Sequence, residues 1–186
     1  MSIVLASKSP RRQQLLKEIV DDFIIDVADV DENLPPEINY LDAVKNLAKK
    51  KALAVFNKRN DDIIIGADTI VYAKNEILGK PKDKDDVKRM IMLLSNDTHV
   101  VATGVCVVSK DFIDCFVEIT EVTFKKMSEE EIDEYCKLDT VYDKAGAYAI
   151  QAEAKEYISK INGDYNNVVG LPVDRLNQCL IKHNIK

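Results

Sequence analysis

A small set of side chains in this sequence has the makings of a reactive site: the hydroxyls of Ser7 and Ser9, the cations Arg11, Arg12, Lys51 and Lys80, and the carboxylates Glu32 and Asp68. Cations beside hydroxyls suit the oxygens of a polyphosphate. Two carboxylates suit a hydrated divalent ion such as Mg²⁺. Together they suit metal-assisted attack of water on phosphorus. The sequence contains no Gly-x-x-x-x-Gly-Lys-Ser/Thr run, which excludes a P-loop NTPase. Its only histidines are His99 and His183, too few for a convincing Ser–His–Asp or Cys–His nucleophile set. Residue chemistry alone leaves a phosphate-ester or anhydride hydrolase, or a nucleotide-binding module.

These residues need elements to hold them. Ile3-Val4-Leu5-Ala6 reads as a short buried strand, and Ser9-Pro10 as a helix start with a capping hydroxyl and proline at the first helical position. Leu15, Leu16, Ile19 and Val20 give that helix an apolar face. Its first turn carries Arg11 and Arg12 where the dipole favours acids, a mismatch that a bound anion resolves. Phe23–Val27 reads as a second strand running into the acidic segment Asp29–Glu32, with Pro35-Pro36 closing the loop. A helix is expected from Tyr40 to Phe56, with Lys51 on its inward side between Leu47 and Val55. That position fits either a snorkelling lysine or one reaching into a cleft.

Ile63–Ala67 reads as an interior strand with Asp68-Thr69 directly after it, where ligands collect in open α/β sheets. A hairpin tip at Ala73–Glu76 leads to Leu78-Gly79-Lys80-Pro81, in which Gly79 permits close backbone approach and Pro81 stiffens Lys80. Asp83, Asp85 and Asp86 open a helix whose stripe is Val87, Met90, Ile91 and Leu94, and both methionines, Met90 and Met92, read as core. His99–Val108 and Phe112–Phe124 read as a long hairpin, and Ser128–Glu131 as a capping box opening a helix through Leu138. Asp143–Gln151 is expected to turn into a strand ending on the Gln151 amide. Tyr157–Ile161 reads as a further strand, and Gly170-Leu171-Pro172 begins the last helix. Alternating strands and helices with one long hairpin give an α/β class with a mixed sheet.

The composition bounds the partners. Hydrophobic residues make up 46% of the 186 and charged residues 31%, an ordinary soluble balance for one domain or two closely joined lobes. A net charge of −6 argues against broad nucleic-acid binding, so a polyanion must be met by a local cation cluster and the substrate is expected to be small. No apolar run reaches bilayer-spanning length and no secretory leader pattern opens the chain. Cys106, Cys115, Cys136 and Cys179 form no Cys-x-x-Cys pair and are expected to be reduced, in a cytoplasmic protein. With so few histidines, a zinc site is not expected.

Taken in order, Leu5-Ala6-Ser7-Lys8-Ser9-Pro10-Arg11-Arg12, Gly66-Ala67-Asp68-Thr69, Leu78-Gly79-Lys80-Pro81, Asp143-Lys144-Ala145-Gly146-Ala147-Tyr148 and Asp164-Tyr165 through Val168-Val169-Gly170-Leu171-Pro172 resemble the Maf family. The resemblance runs from Ile3 to Leu180 and implies a fold like that of the inosine-triphosphate pyrophosphatases, a long twisted mixed sheet with two lobes around a deep cleft, in a single domain spanning 1–186. The implied activity is hydrolysis of a nucleoside triphosphate to monophosphate and pyrophosphate with a divalent metal, Mg²⁺ or Mn²⁺. It makes Asp68 the proton acceptor for water, Glu32 and Asp68 the metal carboxylates, and Ser7, Arg12, Lys51 and Lys80 the groups that neutralise the triphosphate.

Arg11, Thr69 and Gln151 match the positions that separate the dTTP/UTP type from the 7-methyl-GTP type, and a Gln amide matches a thymine or uracil imide edge. Ala149 and Ala152 stand where relatives typically carry glycine, which bears on the base pocket. The favoured expectation is a dTTP/UTP pyrophosphatase that also clears modified pyrimidine nucleotides. Its alternatives are the same reaction on a modified purine triphosphate such as 7-methyl-GTP, or a nucleotide-binding regulator of cell division. Many members of the family are dimers, so a second copy of the chain is an implied partner.

Overall fold

The computed structural model describes residues 1–33, 35 and 37–186. In chain order it forms β1 (Ile3–Leu5), α1 (Pro10–Leu16), β2 (Ile24–Ile25), α2 (Tyr40–Phe56), β3 (Ile63–Ala73), β4 (Glu76–Leu78), α3 (Lys84–Leu94), β5 (Thr98–Val108), β6 (Ile113–Phe124), α4 (Glu129–Tyr135), β7 (Ile158–Asn162), α5 (Tyr165–Val169) and α6 (Val173–Lys182). Short 3-10 helices occupy Asp139–Val141, Ala145–Ala147 and Glu153–Tyr157. The strands make one seven-stranded sheet in the order β2-β1-β3-β5-β6-β7, with β4 added on β3. β1 runs parallel to β2 and β3, whereas β4 on β3 and β7 on β6 are antiparallel, so the sheet is mixed as expected. No described helix is long and apolar enough to cross a membrane.

The chain divides into two compact units. The first comprises Met1–Thr69, Thr103–Glu118 and Gly170–Lys186. Its helix starts follow the expected chemistry: Ser9 Oγ accepts from the Arg12 amide at the head of α1, and Asn39 Oδ1 from the Leu41 amide at the head of α2. Val4, Ala48, Ala52, Val55 and Ile64 pack as one core between α2 and the strands. Two glycines let α2 come close. A Cβ at Gly66 would sit 2.4 Å from the Ala48 carbonyl oxygen, and one at Gly104 would sit 2.5 Å from that of Val44. No real Cβ tolerates such approaches, so these positions fix the distance from helix to sheet.

Several expectations change in this unit. The strand begun at Ile63 does not stop before Asp68; β3 continues through Asp68-Thr69 to Ala73, so the carboxylate projects from within a strand and not from a loop. Gly66 and Asp68, two apart, therefore share the face toward α2. The second strand is only Ile24–Ile25, paired outside β1, with both side chains exposed as on a sheet edge. Cys106 and Cys115 are not reduced thiols but a disulfide, because neighbouring strands β5 and β6 bring their Cα atoms to 4.0 Å; Cys136 and Cys179 are free and buried. The loop closure expected at Pro35-Pro36 falls partly outside the described residues, which omit Pro36.

The second unit comprises Ile70–Ala102 and Ile119–Val169. Val71, Leu78, Ile91, Leu94, Phe124 and Tyr148 anchor its core. Asp83 caps α3, and Ser128 with Glu131 forms the expected capping box on α4. Met90 is buried, but Met92 is 57% exposed, because it lies two positions on from Met90 and so near the opposite side of α3. The strand expected to end on Gln151 does not form. Gly146 and Ala147 take left-handed backbone angles, φ 68° and 60°, which break an extended run, and Gln151 lies in the turn closed by the Ala152 amide on the Ala149 carbonyl. Gly79 does meet another backbone, its carbonyl accepting from the Gly146 amide at 3.0 Å, but the contact does not need a glycine: its two chain neighbours aside, no atom of the described residues lies within 4 Å of where its Cβ would be.

His99 is a buried titratable group of this unit. Its Nε2 lies 2.7 Å from the Tyr148 hydroxyl, and Phe124 and Tyr148 meet its ring edge-on at 5.3 and 5.4 Å. Its Nδ1 has no hydrogen-bond partner among the described residues. Burial pulls its pKa from 6.5 to about 4. The unfolded chain therefore binds a proton near pH 6.5 that the folded chain refuses until about pH 4. Stability from this group is complete above pH 6.5 and drains away as the pH falls to 4, by about 3 kcal/mol. Denaturant unfolding at steps across that window should show the loss in the wild type, and a flatter profile in His99→Gln. Equal slopes for the two would contradict it.

Candidate active site

The first unit brings together two groups of the expected residues. On α2, Lys51 turns inward beside the buried Ala48 and Ala52, and its ammonium meets both acids: Nζ lies 2.5 Å from Asp68 Oδ1 and 2.8 Å from Glu32 Oε1. The Lys51 and Asp68 side chains are 16% and 15% exposed, whereas Glu32 is 56% exposed, so the cluster opens outward on the Glu32 side. Lys51 is thus not a snorkelling lysine. It is the tie that gathers a carboxylate from β3 and one from the loop before α2 around one point.

One residue along β3, Thr69 belongs to the second group. Arg12 donates from Nε to the Gly170 carbonyl at 2.8 Å, from Nη1 to Ser7 Oγ at 3.3 Å and from Nη2 to Thr69 Oγ1 at 3.0 Å. Thr69 and Thr103 share a further hydrogen bond of 2.9 Å between hydroxyls. Ser7 Oγ also accepts from the Ser9 amide at 3.3 Å, which shapes the turn into α1. Arg12 therefore pins the β1–α1 turn, β3 and the segment ahead of α6 to one another. Burial lowers its pKa, and the charge of Asp68 offsets that in part. Such a fixed guanidinium is a preorganised positive charge beside a carboxylate.

Arg11 is half-buried in the first turn of α1. Lys80 and Gln151 belong to the second unit, where both side chains are exposed, Lys80 just after β4 and Gln151 in its turn. Reasoning from sequence missed Thr103 and the Gly170 carbonyl. A threonine with no exposed surface inside an apolar strand needs a partner, and that was the available signal for Thr103. Nothing local to Gly170 marks its carbonyl as the acceptor for an arginine 158 residues away.

Chemically, the Lys51 cluster offers two carboxylates on one fixed ammonium, with Arg12 bound to the next residue of the strand. Carboxylate oxygens in that arrangement suit a proton acceptor and a hard divalent cation. The chain's likeness to known proteins agrees with this chemistry. The family model described as Maf-like protein matches residues 2–183. A Bacillus cereus (strain Q1) protein named dTTP/UTP pyrophosphatase is 46% identical over 183 residues, covering 98% of this chain and 96% of its own length. A Bacillus anthracis protein of the same name shows the same identity and coverage, and one from Bacillus cereus (strain G9842) is 47% identical over 174 residues, 94% of this chain and 91% of its own. Among solved structures, the Staphylococcus aureus Ham1 protein superposes with a TM-score of 0.59 over 98% of this chain and 100% of its own, at 13% identity, which speaks to fold alone.

Proposed function

The chain belongs to the Maf family, and we propose that it is a nucleoside triphosphate pyrophosphatase that converts dTTP and UTP to the monophosphate and pyrophosphate. The observation that carries the chemistry is Lys51 Nζ set 2.5 Å from Asp68 and 2.8 Å from Glu32. The choice of base follows the substrate in the relatives' names. In this reading the whole chain works as one nucleotide pyrophosphatase domain, in the cytoplasm, with a second copy of the chain as its expected partner.

Asp68 is the general base. Its carboxylate takes the proton of a water whose oxygen bonds to phosphorus at the α–β bridge; the bridging P–O bond breaks and pyrophosphate leaves. Lys51 holds the Asp68 carboxylate through Oδ1 and so sets its direction. Ser7, Arg12 and Lys51 present hydroxyl and positive charge to the triphosphate, while Arg11 and Thr69, the latter fixed on a rigid strand between Arg12 and Thr103, bear on the choice of base. Lys80 and Gln151 enter the assignment through their motif positions, Lys80 for phosphate and Gln151 for the imide edge of the base.

Asp68 and Glu32 also fit a divalent cation of the Mg²⁺ or Mn²⁺ kind, because both are oxygen donors already gathered about a single cationic atom. When bound, such an ion supplies charge neutralisation at the phosphate oxygens. A pyrophosphate-release assay over dTTP, UTP, CTP, ATP, GTP, ITP and 7-methyl-GTP tests the reading. Turnover is expected to be highest on dTTP and UTP. Preference for a purine triphosphate would overturn the assignment of Arg11, Thr69 and Gln151 while keeping the reaction.

A further inference from the structure

The end of α6 carries a second cluster of reactive side chains that the reaction does not use. Cys179 and His183 are four residues apart, so α6 and its last turn direct them to one side. Asp114 of β6 meets them there, its Oδ2 2.8 Å from His183 Nε2. One potential ligand atom from each of the three lies within 4.8 Å of the others, and among the described residues no other trio of His, Cys, Asp or Glu side chains is so gathered. The Phe112 ring stacks on the His183 imidazole with centroids 3.7 Å apart and planes 6° from parallel, which holds the imidazole in plane. Cys179 is a free, buried thiol, while the side chain of His183 keeps 19% of its surface exposed, so the cluster has a closed side and an open one.

We propose that Asp114, Cys179 and His183 form a site for a thiophilic divalent cation of the Zn²⁺ class, separate from the carboxylates that serve the phosphate chemistry. The donor set decides the class. One sulfur, one imidazole nitrogen and one carboxylate oxygen are ligands for Zn²⁺ and its neighbours, whereas Mg²⁺ and Ca²⁺ take oxygen. In a tetrahedral zinc site the ligand atoms stand roughly 3.5 Å apart, given bonds of about 2.0–2.3 Å. The three potential ligand atoms, all within 4.8 Å of one another, are already near that spacing.

Binding forms a metal–Sγ bond and releases the Cys179 proton to solvent. Lys182 Nζ, now 2.7 Å from Asp114 Oδ2 on a side chain 66% exposed, moves out to water, and a water takes the fourth position. Because the ligating thiol must give up its proton, the proton competes with the cation and affinity rises with pH. From the sequence, two histidines made a zinc site unexpected; under this proposal a helix spacing and a facing strand assemble one from a single histidine.

The test is a Co²⁺ titration of the intact protein, read by the near-ultraviolet thiolate-to-cobalt charge-transfer band, with Zn²⁺ as competitor. The wild type is expected to develop the band at one equivalent and to lose it when Zn²⁺ is added. Cys179→Ser should abolish it, and His183→Gln, at a partly exposed position past the end of α6, should weaken cobalt binding at least tenfold. Cys136→Ser and Asp68→Asn should both keep the band, which separates this site from the other free thiol and from the phosphate-site carboxylates. Absence of a band at saturating Co²⁺, or a band unchanged in both Cys179→Ser and His183→Gln, would overturn the proposal.

Discussion

Asp68→Asn is expected to lower kcat for dTTP by about 10²–10⁴-fold, the range for loss of a positioned general base, without weakening nucleotide binding. The geometry explains why the two parameters should separate. Asparagine keeps the shape of the side chain and can still accept from Lys51, which also remains bound to Glu32 at 2.8 Å. What disappears is the anionic oxygen proposed to take the proton. A carboxylate near a polyphosphate repels it, so with binding measured in metal-free buffer its removal leaves affinity equal or tighter. Steady-state kinetics with a parallel measurement of dTTP binding decides the point. Retained kcat would show that Asp68 is not the base, and a loss confined to affinity would make it a binding residue.

The second large effect lies in the fold. Gly66→Ala is expected to destabilise the protein by about 3 kcal/mol, the upper end of the cost of overpacking. For a chain of this size that is a fall in Tm of roughly 6–12 °C. The new Cβ would stand 2.4 Å from the Ala48 carbonyl oxygen, 2.7 Å from the Ala52 nitrogen and 2.8 Å from the Ala52 Cβ. Two of these are backbone atoms of α2, so relief requires the helix to move. Lys51 lies between Ala48 and Ala52 on that helix, and its short contact with Asp68 cannot survive a shift of that size. Turnover should therefore fall with stability. Gly79→Ala is the control: its Cβ meets no atom of the described residues and its backbone angle is ordinary, so the change should stay within about 0.5 kcal/mol. A Gly66→Ala protein with unchanged Tm and full turnover would contradict the role given to this contact.

Much of the architecture was legible because the signals were local. Ser9 before Pro10, Asp83 before a run with helical spacing, and Ser128 with Glu131 each announce a helix start through groups within a few residues of one another, and each caps as expected. The failures share a different cause. Asp68-Thr69 looked like a strand end because polar residues broke the apolar run, yet β3 continues because those side chains find partners on α2, α1 and β5. Gln151 looked like a strand end because apolar residues precede it, but Gly146 and Ala147 take left-handed angles, with the Gly146 amide bonded to the distant Gly79 carbonyl. The disulfide required knowing which residues of β5 and β6 lie opposite. For the site, residue types named Lys51, Asp68 and Glu32 one at a time; their meeting within 2.8 Å is a property of the fold.

The central claim is that this chain breaks the α–β phosphoanhydride of a pyrimidine nucleoside triphosphate. Phosphorus NMR of dTTP incubated with the purified protein and Mg²⁺ tests it most directly, because it identifies which bond is cut. The account predicts dTMP and pyrophosphate in equal amounts, with no orthophosphate formed alongside. Appearance of dTDP and orthophosphate, or dTTP that binds and stays intact, would contradict it.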